Sequence, residues 1–236
     1  MKIFRYVLAV LCLTLMSSHA RSQTFTAYDL TTAAAGNSYV GNLSYASTAG
    51  MEFDVNAQSI QITSLGVFDS GADGFHHVLT TYLFNRDTHD LIASQSFSGS
   101  TDATAGVLQG YHRFLPVLGQ LVLNPGHYII ASSGFLTDGA GSDPLGAETL
   151  AGYVPDTFNS GGGLISAVSP SVYAEAQLGG GAYPNSTFGD ALAYNTGTFQ
   201  FTLDVPEPGS VAMLLGLSGL GASVAFRKVR RRQAKK

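Results

Sequence analysis

Cysteine, tryptophan and lysine are almost missing from this chain of 236 residues. There is one cysteine, Cys12, there is no tryptophan, and no lysine stands between Arg21 and Pro208. Because Cys12 lies in an apolar run near the N-terminus, we expect the mature protein to contain no cysteine. A disulfide bond, a zinc-thiolate site and a thiol nucleophile are therefore excluded from it.

Positive charge is also scarce in the middle of the chain. Between Arg21 and Pro208 the only basic residues are Arg21, Arg86 and Arg113, whereas all sixteen acidic residues lie there, which gives a net charge of −13. Nucleic acid and anionic lipid need clustered cations, so neither is an expected partner. The charge fits a solvated extracellular protein and leaves room for bound calcium.

The N-terminus has the pattern of a secretory signal peptide. Lys2 and Arg5 precede an apolar run at 6–16, and the run leads to the small residues of Ser17-Ser18-His19-Ala20. We therefore predict a signal peptide at residues 1–20, with cleavage after Ala20. Residues 21–204 remain as one domain, because this length suits a single hydrophobic core.

The C-terminus has the pattern of a membrane anchor. Val205-Pro206-Glu207-Pro208 precedes 18 uncharged residues at 209–226. As a helix this segment would span about 27 Å, close to the roughly 30 Å of a bilayer's hydrocarbon core. A tail with seven positive charges follows. Its topology-setting residues are Arg227, Lys228, Arg230, Arg231 and Arg232. Such a tail is predicted to stay in the cytoplasm, so the residues before Val205 are predicted to be exported.

The order of Pro206-Glu207-Pro208, apolar span and basic cluster resembles the PEP-CTERM sorting signal over residues 205–236. The resemblance implies an exported protein of a Gram-negative, exopolysaccharide-producing bacterium. It also implies a membrane-embedded partner, a protease of the exosortase type, which recognises Val205, Pro206, Glu207 and Pro208 and removes the span and tail. The alternative is an ordinary C-terminal anchor with a chance Pro-Glu-Pro at its border. Both interpretations predict export, but they differ on whether the mature protein keeps its anchor.

Strand patterns dominate between the two ends. Clear alternation or β-branched enrichment marks 51–55, 59–68, 77–85, 91–97, 128–131 and 197–203, and a long strand at 111–123 is expected to break at Pro116. Weaker signals predict strands at 25–30, 38–45, 164–168 and 171–178. No amphipathic helix is indicated between residues 25 and 204. We therefore predict an all-β antiparallel two-sheet sandwich, with a jelly roll as one form of it, flanked by a signal helix and a transmembrane helix.

Few residues in the domain suggest chemistry. Asp69 and Asp73 place two carboxylates four residues apart in a glycine-bearing turn, which makes them the weak calcium candidates, although two side chains are too few for a complete site. A turn held by Asx hydrogen bonds is the simpler interpretation. His76 and His77 are adjacent, so on a strand they point to opposite faces and cannot grip one metal together. No metal or other cofactor is expected otherwise.

An enzyme is not the favoured interpretation. No nucleophile elbow of the Gly-x-Ser-x-Gly type opens a helix. The acidic pairs Glu52/Asp54 and Asp87/Asp90 are interpreted as solvated faces rather than as a hydrolytic pair. A secreted hydrolase with an unrecognised site is retained as the third hypothesis.

A carbohydrate-binding, lectin-like module that acts on exopolysaccharide is the alternative function. Sandwich domains often bind glycans through exposed aromatic rings and amides. The candidate rings are those of Tyr111, Tyr153, Tyr173, Tyr183 and Tyr194. Packing of most of these tyrosines inside the fold is the competing interpretation.

Overall fold

The computed structural model describes nine stretches of the central domain. They are residues 23–29, 45–72, 74–75, 77–98, 106–135, 157–175, 180–188, 194 and 196–203. The predicted signal peptide and the sorting segment 205–236 lie outside these residues, as does the predicted strand at 38–45 except for its last residue.

The described residues are all-β, as the sequence predicts. Their strands are β1 Phe25–Thr26, β2 Tyr28–Asp29, β3 Ala49–Val55, β4 Ile60–Phe68, β5 Leu79–Asn85, β6 Leu91–Phe97, β7 Val107–Gln109, β8 His112–Leu123, β9 Gly126–Ser133, β10 Thr157–Phe158, β11 Ile165–Tyr173, β12 Ser186–Phe188 and β13 Gly197–Leu203. The helical structure among them is a single 3₁₀ turn, Ser70–Ala72.

The strands form two antiparallel sheets and a small separate pair. The first sheet has the order β1-β13-β4-β8-β7, the second has the order β12-β11-β3-β9-β5-β6, and β2 pairs with β10. Eight of these strands can be renumbered one to eight in chain order, namely β1, β3, β4, β5, β6, β8, β9 and β13. In this numbering four neighbouring strands of the first sheet have the order 1-8-3-6, and four of the second have the order 2-7-4-5. That is the strand order of a double-sheet jelly roll. Strands β11 and β12 extend the second sheet beyond β3.

The core lies between the two sheets because alternate residues of each strand point inward. Met51, Phe53 and Val55 of β3 are buried in one cluster with the inward residues of the opposite sheet. The Phe53 ring lies 4.6 Å, centroid to centroid, from the ring of Phe199 on β13. Both rings are fully buried. Large aromatic side chains thus join the last strand of the domain to the second sheet.

Two strand boundaries differ from those expected. Strand β8 does not end at Pro116 but continues to Leu123. Its register with β4 shifts along the way, because Ile62 of β4 pairs with Leu121 whereas Ser64 pairs with Pro116. At this shift residues 117–120 of β8 stand opposite the single residue Thr63 of β4. Strand β11 is a single element where two strands were expected, with an irregularity between Val168 and Val172. In both cases pairing with a long neighbouring strand carries the chain through a proline or a bulge.

Candidate functional site

The predicted cleavage residues Val205, Pro206, Glu207 and Pro208 lie outside the described residues, as do the basic anchor residues 227–232. The described part of the domain ends at Leu203, the last residue of β13. This strand lies between β1 and β4 inside the first sheet. The segment with the sorting pattern therefore begins directly after an internal strand of the sandwich.

The turn with the calcium candidates is built around an ion pair. Asp69 is fully buried, and its carboxylate lies 2.5 Å from Nε of Arg113 on β8. Both of its oxygens also accept a hydrogen bond from the backbone N–H of Gly74, at 3.2 Å. The guanidinium of Arg113 lies 5.8 Å from the centre of the Phe75 ring. Asp69 therefore already has a cation beside it, while Asp73 lies outside the described residues.

Metal binding at this turn stays a prediction. Among the residues that the structure describes, no three His, Cys, Asp or Glu side chains are grouped as a metal ion would require. His77 is half-buried and His112 is fully buried, whereas His76 lies outside the described residues.

The candidate tyrosines fall into separate surroundings. Tyr111 packs against a buried cluster around Phe68, and Tyr153 lies outside the described residues. Tyr173 and Tyr194 contact each other edge to face, with ring centroids 6.2 Å apart. Tyr183 lies over the outer face of the second sheet and is described next.

A cluster of charged and aromatic side chains occupies one end of that outer face. Glu52 and Asp54 project outward from β3, between the inward residues Met51, Phe53 and Val55. Asp54 lies opposite His127 of β9 in the ladder. Arg86, which directly follows β5, and Tyr183 complete the cluster. We call Glu52, Asp54, Arg86, His127 and Tyr183, together with His89 of the adjoining hairpin, the outer-face cluster.

Glu52 is the buried member of the outer-face cluster. Only 5% of the residue is exposed, and its Oε1 lies 3.1 Å from Nε of Arg86. Its Oε2 is buried and has no hydrogen-bond partner among the described residues. Burial raises the pKa of Glu52, Arg86 opposes that shift, and Asp54 adds to it. The expectation that Glu52 and Asp54 form a solvated acidic pair is therefore wrong for Glu52.

The partners of Asp54 and Tyr183 fix the geometry around Glu52. His127 Nδ1 lies 2.6 Å from Asp54 Oδ1, and this hydrogen bond together with the Asp54 charge raises the pKa of His127. The Tyr183 hydroxyl donates to the backbone carbonyl of Arg86 at 3.2 Å. The pKa of Tyr183 is raised chiefly by burial and then by the charge of Glu52. The Tyr183 hydroxyl therefore lies within electrostatic reach of the Glu52 carboxylate.

The β5–β6 hairpin supplies an unusual backbone conformation beside the cluster. Asn85 Oδ1 accepts the backbone N–H groups of Asp87 and Thr88, at 2.8 and 3.0 Å, which closes the turn. His89 follows with a φ of +64°, in the left-handed region that a non-glycine residue rarely adopts. Its ring stacks on the ring of Tyr183, with centroids 4.0 Å apart. A strained residue is thus held against the one tyrosine of the outer-face cluster.

Reasoning from the sequence missed the outer-face cluster because four separate segments contribute to it. The alternation at 51–55 places Glu52 on the outer face but cannot show that residues from 180–188 return to that face. One signal was available: Arg86 is one of only three basic residues between Arg21 and Pro208. A rare cation at the end of a strand is a reasonable place to look for a buried carboxylate.

Comparison with protein-family models agrees with the pattern at the C-terminus. The model described as the PEP-CTERM protein-sorting motif matches residues 204–232. The described residues thus define an all-β jelly-roll domain, and the segment after it is a PEP-CTERM sorting motif. The motif indicates export that depends on an exosortase, processing by that membrane protein, and sorting to the cell surface.

Other comparisons add little. No curated protein matches the chain. Among solved structures, the VP2 subviral particle of infectious bursal disease virus matches 80% of this chain at 16% identity, with a TM-score of 0.26. The T13 particle of the same virus matches 80% at 14% identity, also with a TM-score of 0.26. The matches cover 43% and 41% of those viral chains, and such a weak likeness supports no argument.

No helix within the described ranges is long and apolar enough to cross a membrane. The predicted span at 209–226 lies outside those ranges.

Proposed function

We propose that this chain is a non-enzymatic jelly-roll protein that a Gram-negative bacterium exports and presents at its surface or in its extracellular polysaccharide matrix. Residues 209–226 hold it in the inner membrane for a time, with the basic tail in the cytoplasm. An exosortase-type protease then acts near Pro206-Glu207-Pro208. In this reaction the chain is the substrate, so Val205 to Pro208 are recognition residues.

The observation that carries this proposal is the sorting motif at 204–232, directly behind the last strand of the domain. Only two residues separate Leu203 from Pro206. The connection in sequence between the last strand and the recognition residues is therefore short.

The buried polar groups of the domain support a structural rather than an enzymatic role. Asp69 is paired with Arg113, and the hydroxyl of Thr81 bonds to both the carbonyl of Gly66 and the hydroxyl of Ser132. These groups join strands to each other. We therefore assign the domain no reaction of its own.

The test of the sorting proposal is the intact mass of the protein from its native host. We expect wild type to lack both the signal peptide and the segment behind the cleavage region. Glu207→Ala should retain that segment and stay in the membrane fraction. Glu175→Ala, which removes an exposed glutamate of the domain, is the matched control and should be processed like wild type. Unaltered processing of Glu207→Ala would refute the recognition role, and a wild type that keeps residues 209–236 would establish a permanent anchor instead.

Carbohydrate binding is the second candidate function. The observation that favours it is the outer-face cluster, in which carboxylates lie next to the stacked rings of His89 and Tyr183. Carboxylates accept hydrogen bonds from sugar hydroxyls, and rings cover the apolar face of a sugar. Co-sedimentation with the host's own polysaccharide tests this function, and binding should persist in the processed protein.

A further inference from the structure

The most unusual polar atom of the described residues is Oε2 of Glu52. The side chain is almost completely buried, and this oxygen has no hydrogen-bond donor among the described residues. A buried carboxylate oxygen without a donor destabilises the fold, because it has lost its hydration without replacement. The position therefore requires a donor that the described protein atoms do not provide.

The atoms around Glu52 define which donor fits. The other oxygen of Glu52 is occupied by Arg86, whose side chain is 40% exposed and reaches solvent. The Asp54 and His127 side chains act electrostatically on this carboxylate, and its own charge acts on the Tyr183 hydroxyl. The site thus offers several acceptors and one exposed cation, beside two stacked rings at its rim.

We propose that the outer-face cluster is the binding site for a neutral sugar residue, with Glu52 Oε2 accepting a hydrogen bond from a sugar hydroxyl. This inference rests on the second proposed function, carbohydrate binding, and names its site. The charge of Arg86 favours the ionised form of Glu52 against the effect of burial and orients the carboxylate, and its remaining N–H groups are available to ring or hydroxyl oxygens of the sugar. The paired rings of Tyr183 and His89 form the apolar wall.

Other ligand classes fit the same atoms less well. An anionic ligand would meet the carboxylates of Glu52, Asp54 and the nearby Asp87. A metal ion at Glu52 would lie next to the guanidinium of Arg86, 3.1 Å from the carboxylate. An apolar ligand would leave Oε2 without a donor. A hydroxyl-rich neutral ligand satisfies the acceptors without adding charge.

Tyr183, whose hydroxyl feels the charge of Glu52, is held in place by its own segment. The segment that carries this tyrosine is fastened by the Gly181 N–H bond to Thr48 Oγ1, at 2.9 Å, and by the Tyr183 hydroxyl bond to the Arg86 carbonyl. Because Oε2 of Glu52 is buried, a sugar hydroxyl reaches it only when the side chains around it shift. Removal of the hydroxyl from Tyr183 should therefore change binding as well as local packing.

The experiment is saturation-transfer NMR on the full chain in a detergent without a sugar headgroup. The probes are D-glucose, D-galactose, D-mannose and L-rhamnose, with D-glucuronate as the anionic probe. We expect transfer to at least one neutral sugar and much weaker transfer to D-glucuronate. Glu52→Gln should weaken the neutral sugar about tenfold or more, because a hydrogen bond to a charged acceptor is lost. Tyr183→Phe should also alter its affinity.

Tyr82→Phe is the matched control. Tyr82 lies on the same outer face, but its hydroxyl bonds to Ser133 Oγ and to no member of the outer-face cluster among the described residues. The Tyr82→Phe variant should bind the neutral sugar like wild type. Thermal unfolding of each variant verifies that the variant is folded. Sugar binding that is unchanged in both Glu52→Gln and Tyr183→Phe overturns the site but not carbohydrate binding. If wild type shows no saturation transfer to any of the neutral sugars, the proposed site is overturned and the result counts against the carbohydrate function. If D-glucuronate binds as well as the neutral sugar, the proposed role of the carboxylates is overturned.

Discussion

The ion pair between Asp69 and Arg113 should be one of the most costly contacts to break in this domain. Asp69 has no exposed surface, and the Arg113 side chain is only 13% exposed. Replacement of Arg113 by methionine keeps most of the apolar stem but removes the guanidinium from a carboxylate that water does not reach. Breaking one partner of a buried pair in this way costs about 3–5 kcal/mol.

This cost is large compared with the whole stability of a domain, which is about 5–15 kcal/mol. For a domain of this size, each kcal/mol lowers Tm by about 2–4 °C, so Arg113→Met should lower it by roughly 6–20 °C. The assay is denaturant unfolding followed by circular dichroism, with Tm measured in parallel. Asp69→Asn in the Arg113→Met background removes the buried negative charge and should restore part of the lost free energy of unfolding.

An exposed acid on the hairpin provides the control for this prediction. Asp90→Asn changes a charge that is in solvent and should shift the free energy of unfolding by no more than about 0.5 kcal/mol. If Arg113→Met costs less than about 1 kcal/mol, the pair behaves as a surface ion pair and the reasoning from burial is refuted.

Two further predictions concern β3 and β9. A Cβ at Gly50 would lie 2.1 Å from the carbonyl oxygen of Ile130, so Gly50→Ala should lower the free energy of unfolding by about 3 kcal/mol. A Cβ at Gly126 would have its nearest contact at 3.5 Å, so Gly126→Ala should cost less than about 1 kcal/mol. Equal unfolding midpoints for the two variants would contradict this. The raised pKa of His127 means that its bond to Asp54 stabilises the fold fully below the unfolded pKa of about 6.5, and that this contribution is lost as the pH rises through the higher folded pKa. Unfolding midpoints at pH 6 and pH 8.5 should therefore differ more in wild type than in His127→Gln, and an identical difference would count against the pair.

The sequence is sufficient to predict those strands whose own residues alternate clearly between apolar and polar. The alternation at 197–203 and at 51–55 predicts β13 and β3 closely, because in each strand one side is buried against the opposite sheet. The turn Asn124-Pro125-Gly126 likewise marks the boundary between β8 and β9. The all-β class follows from these segments alone.

The sequence was insufficient where distant segments decide the structure. Strands β7 and β12 have three residues each, and they exist because they pair with β8 and β11. The burial of Glu52 has the same origin, since residues 86 and 183 approach it from other parts of the chain. A local pattern specifies which face a residue occupies but not what later covers that face.

The position of β13 has a consequence for the order of events during secretion. Phe25 of β1 pairs with Phe201 of β13, so the two extremes of the domain are neighbours in one sheet. A chain that crosses a membrane from its N-terminus cannot complete this sheet until residue 203 has emerged on the far side. The completion of this sheet and the arrival of the sorting motif at the membrane therefore nearly coincide.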